Sequence, residues 1–169
     1  MSEELIAWHD FNVSLVTAAA ALLGLLFVAL SIHVRALAAR RNAELRSIAR
    51  TIFLGYVVSL TIGFLELFPQ TLFALGSELL VLLVISLLPF GAAARAGLRA
   101  SGVGFDRRVT IVQFIAGFLL FAVTITAAIA VLLGEGGALF LLAGIAVMSL
   151  VWGVFNTYEL IFRVQPLEP

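Results

Sequence analysis

Two carboxylates lie inside or beside long apolar runs, and they are the residues with the clearest chemical potential. Glu78 is the only charged side chain between positions 67 and 94. A carboxylate within a lipid-spanning helix is costly unless it meets water, a partner or a proton, so it is a functional candidate by default. A helix beginning near Thr71 places Glu78 about 10 Å below the membrane surface at ~1.5 Å per residue. Copies of such a residue in a symmetric oligomer would form an acidic ring that favours cations. A second reading competes. Gly76-Ser77-Glu78 has the form of a helix start, with Ser77 as N-cap and Glu78 in the first turn. Residues 69–76 would then form an interfacial loop. Glu66, three positions before Pro69, falls at the end of the preceding apolar run and reads as interfacial. With Glu78 it would make an acidic pair at one mouth, and two close carboxylates tend to share one proton, which suits proton or cation handling.

The other polar residues in apolar surroundings are fewer. Asn156, Glu159 and Gln113 are candidates for polar contacts within the membrane. Asn156 and Gln113 suit hydrogen bonds between helices or at a helix end, and Glu159 and Arg163 are four apart and can pair along one helical face. His9 and His33 are separated by an entire span, about 36 Å along a helix, too far to share a metal. Cysteine and lysine are both absent. The sequence contains no phosphate-binding loop, zinc-protease motif, dinucleotide fingerprint or serine–histidine–aspartate set. It therefore gives no support for an enzyme, a metal or a cofactor. A net charge of zero gives none for a nucleic-acid partner.

These residues must be positioned by helices in lipid. The chain is 63% hydrophobic and 12% charged, well outside the range of soluble domains. Runs long enough to cross a ~30 Å hydrocarbon core predict an all-α bundle with five spans, at about 11–33, 51–68, 72–94, 109–133 and 137–160. Arginine sets the topology. Arg35, Arg40, Arg41, Arg46 and Arg50 form a basic face in the first linker. Arg95, Arg99, Arg107 and Arg108 occupy a later one, and Arg163 follows the last run. The positive-inside rule places all three on the cytoplasmic side. One helix and two hairpins result, N-terminus out and C-terminus in, turning near Pro69 and at Gly134-Glu135-Gly136-Gly137. A re-entrant hairpin over 51–94 is the rival arrangement. Val34, Leu37, Ala38, Leu45 and Ile48 share a helical face, so residues 34–48 read as an extension of the first helix or as a surface-lying amphipathic segment. Residues 96–105, with three glycines, read as a flexible loop.

Small residues line two helices: Thr17, Ala18, Ala20, Ala21 and Gly24 on the first, and Ser149, Gly153 and Thr157 on the last. Such faces let helices approach closely in lipid, within a subunit or between subunits. The stretch from Ala18 to Ser31 resembles the first helix of small, uncharacterised bacterial multispan inner-membrane proteins. The resemblance implies a bacterial inner-membrane location and carries no functional residue with it. The sequence thus leads to two expectations. One is a homo-oligomeric channel or transporter for a small cation or proton. The other is a non-conducting accessory protein that docks a partner or anionic lipid through its arginine-rich cytoplasmic face.

Overall fold

The computed structural model describes residues 3–35, 43–100 and 107–164, with side chains over 5–35, 45–99 and 111–162, Gln113 excepted. A short helix, α1 (Glu3–Ala7), precedes five long ones: α2 (His9–Ile32), α3 (Ala43–Leu67), α4 (Leu72–Ala100), α5 (Arg107–Leu132) and α6 (Ala138–Val164). All five long helices are long and apolar enough to cross a membrane. The chain is a multi-pass membrane protein. The 51–94 segment forms two helices of full spanning length, α3 and α4, and not a re-entrant hairpin.

The helices are straightforward products of lipid as a solvent. Every backbone polar group must be satisfied within the segment, and uninterrupted Leu, Ile, Val, Phe and Ala meet that demand by coiling. The hairpin turns are closed by local chemistry. At the end of α3, Gln70 Nε2 donates to the Leu65 carbonyl at 2.7 Å, and Thr71 Oγ1 accepts from the Ala74 amide at 3.3 Å to cap α4. At the end of α5, Gly134 takes φ +88°. The Glu135 amide then reaches back to the Ala130 carbonyl and the Gly134 amide to Val131, the bond pattern of a glycine-terminated helix.

Successive helices pack side by side, and α3 is central, meeting α2, α4 and α6. The bundle has two ends. One carries the turns at 68–71 and 133–137 together with α1; the other carries the described arginines. Three expectations are corrected here. First, α3 begins at Ala43, not near 51, so Leu45 is a buried core residue and Arg46 and Arg50 stand on a spanning helix rather than in a linker. Of the segment over 34–48, Val34 and Arg35 are helical after a break at His33, residues from Ala43 belong to α3, and 36–42 lie outside the described residues. Second, α4 continues through Gly97 to Ala100. Gly97 is a packing residue, because a Cβ there would meet the Phe114 ring at 2.7 Å and Ser47 Oγ at 3.1 Å. Third, α4 starts at Leu72, so Ser77 does not cap a helix start. Its hydroxyl bonds back to the Ala74 carbonyl at 2.7 Å within the helix.

Candidate functional site

The site is formed where α2 and α3 come closest. Gly55, Ser59 and Gly63 recur every fourth residue on α3, keeping one face of the helix small. At Gly63 the approach is tight: a Cβ would fall 2.8 Å from Val16 Cγ2 and 3.3 Å from Leu15 Cδ2 of α2. One turn further toward the turn end, the two helices present Asn12 and Glu66. Asn12 is fully buried and Glu66 is 3% exposed. The Asn12 side chain lies beside the Glu66 carboxyl. Among the described residues, however, neither polar atom of Asn12 nor Glu66 Oε1 has a partner in hydrogen-bond geometry.

Leu5, 2% exposed, inserts into a cluster with Ile62, Leu75, Leu79, Val131 and Leu139, and Trp8 packs against the same cluster. The Trp8 ring stands edge-on to Phe11 and Phe140, with centroids 5.4 and 4.6 Å away, which pins the α1–α2 junction to the start of α6. Glu66 lies one residue from the end of α3 and Asn12 three residues after the start of α2. At ~1.5 Å per residue the pair is within about 5 Å of the helix ends. It is thus shallow in the bundle and buried. A hydrogen-bonding group buried without a partner costs about 1–3 kcal/mol, and more when charged.

The remaining sequence candidates are distributed elsewhere. Glu78 is on α4, in its second turn, and is exposed on the bundle surface. With Glu66 buried and Glu78 exposed, the two carboxylates do not form a pair at one mouth; Glu66 stands at the end of α3, as expected, but is buried. Asn156 is buried on α6 near the arginine end, with its Nδ2 donating to the Trp152 carbonyl of its own helix at 2.7 Å. Glu159 is half-buried on the same helix, while the Arg163 side chain expected to pair with it lies outside the described residues. Gln113 is placed in α5, its side chain likewise outside them. Of the basic face, Arg35 and Arg50 are exposed and Arg46 is half-buried; Arg40 and Arg41 lie outside the described residues. The small faces separate cleanly. Thr17, Ala18, Ala20, Ala21 and Gly24 all point outward from α2. On α6, Gly153 packs directly on Tyr56 of α3, whose hydroxyl is 3.3 Å from Thr157 Oγ1.

Sequence reasoning ranked Glu78 first and missed Asn12 altogether. The available signal was the Gly55-Ser59-Gly63 spacing, which marks the face of α3 that a neighbouring helix covers and leads straight to Glu66. No protein-family model, curated protein or solved structure matches the chain.

Proposed function

We propose that this protein binds and moves protons across a bacterial inner membrane, with Glu66 as the proton-binding residue. The observation that supports the reading is the Asn12–Glu66 pair, buried and lacking hydrogen bonds at three of its polar atoms. Such a carboxyl requires a further partner, and the two obvious ones are a proton and a metal cation. A hard cation takes six or more oxygen ligands at close range. One carboxyl and one carboxamide fall well short of that number, whereas a proton needs only one oxygen. The proton is therefore the better cargo.

The arginines orient the bundle with its turn end outside and its arginine end in the cytoplasm. Glu66, one residue from the end of α3, then loads from the outer side. The site is complete within one subunit, so the reading needs no acidic ring of Glu78 residues from several copies. Inward of Glu66, a cavity begins at Ile62, one turn away, and reaches Asn156 toward the arginine end.

Infrared difference spectroscopy of the reconstituted protein across a pH range tests the assignment. The expected result is a protonated-carboxyl C=O band that changes with pH in wild type and in Glu78→Gln and disappears in Glu66→Gln. A band that survives Glu66→Gln would remove Glu66 from the role.

A further inference from the structure

The helices α3 and α5 do not close on each other across the bundle. Between them, bounded by α4 and α6, lies a cavity of about 100 Å³. Along α3 it runs from Ile48 to Ile62, about 21 Å at ~1.5 Å rise per residue. Along α6 it runs from Ile145 to Asn156, about 17 Å on the same basis. It is a slot parallel to the helices and not a compact void.

Its chemistry is apolar by two independent features. Most of the lining is hydrocarbon, including Leu83, Phe90, Phe121 and Ile145. The three lining hydroxyls each donate their single proton to a carbonyl of their own helix: Thr51 to Ser47 at 3.0 Å, Thr124 to Leu120 at 2.7 Å, and Ser149 to Ile145 at 2.8 Å. They have no proton left for a ligand. A water needs about 2–4 polar partners to be held, and apolar cavities of order 150 Å³ stay dry and bind hydrocarbon. The space is also real at its middle. A Cβ on Gly55, which lines the slot, would meet no atom within 4 Å.

The slot communicates with the bilayer. The α5–α6 contact is much sparser than the α4–α5 contact, and Trp152 of α6 both lines the cavity and is 45% exposed on the outer surface. The slot sits alongside helices of full spanning length, so the surrounding medium at its side is lipid chains. We infer that the slot takes a short stretch of one acyl chain of a membrane phospholipid, which enters between α5 and α6 beside Trp152. The chain supplies what the geometry asks for: a narrow, flexible hydrocarbon with no hydrogen-bonding groups. This inference goes beyond the proton reading and does not depend on it, because occupancy is read without any proton moving.

Photolabelling tests it. The full-length protein is reconstituted in phosphatidylglycerol–phosphatidylethanolamine vesicles containing a phosphatidylethanolamine with a mid-chain diazirine, irradiated, and mapped by mass spectrometry. Adducts are expected on buried lining residues such as Leu83 and Ile145, as well as on outward residues such as Leu119 and Val151. In Gly55→Leu, whose side chain fills the slot, the buried adducts should fall severalfold while the outward ones persist. Gly24→Leu, on an outward face with equally open space, should leave both sets unchanged. Wild-type adducts confined to the outward residues would overturn the proposal, and that result needs no variant to fold. Buried adducts undiminished in a folded Gly55→Leu would overturn it as well.

Discussion

Asn12 and Glu66 are poor choices for stability, with three buried polar atoms that lack hydrogen-bond partners among the described residues. Leaving buried polar atoms unpartnered is destabilising, whereas replacing both partners with apolar groups of similar shape is neutral or stabilising. The double variant Asn12→Leu/Glu66→Met should therefore unfold at the same temperature as wild type or higher, measured in detergent by the loss of helical circular dichroism. A fall of several degrees would mean that the pair supports the fold instead. Glu66 was visible in the sequence as a carboxylate near a helix end, but its burial was not. Its burial accompanies the close approach of α2 to α3 beside Gly63, a tertiary contact that no periodicity within α3 announces. Asn12 was invisible for a related reason. Its role arises from the approach of α2 to Gly63, a contact between segments some fifty positions apart.

Among the elements, spans were far more legible than their ends. Lipid demands long apolar helices, so composition located all five. The ends failed where arginine was taken to mark a loop. Arg46 and Arg50 extend α3 by about two turns, since a long basic side chain can reach the headgroups from within a helix. Glycine misled in the same way. Gly97 was read as a loop residue but serves close packing, as Gly76 does more strongly. A Cβ on Gly76 would stand 2.5 Å from the Leu132 backbone nitrogen and 2.6 Å from its Cα. Backbone cannot move aside as a side chain can, so Gly76→Ala must push α4 and α5 apart at the turn end. The expected cost is about 1–3 kcal/mol, read as a lowered unfolding midpoint in a detergent–denaturant titration. Gly24→Ala, with open space at its Cβ, should change nothing by comparison.

Along the bundle axis, α1 sits at the turn end, Glu66 is buried one residue from the end of α3, and an apolar slot runs from Ile62 toward Asn156. Neither the slot nor its lateral opening was legible in the sequence, because both depend on how α3, α5 and α6 diverge and not on any one helix. The outward small-residue face of α2 leaves room for a second copy, but the proton site does not call on one. The most direct measurement is proton flux into sealed liposomes loaded with a pH-sensitive dye, comparing wild type, Glu66→Gln and Glu78→Gln at equal incorporation. The account predicts flux in wild type and in Glu78→Gln, and flux at the level of empty liposomes in Glu66→Gln. Wild-type flux in Glu66→Gln, or its loss in Glu78→Gln alone, would contradict it.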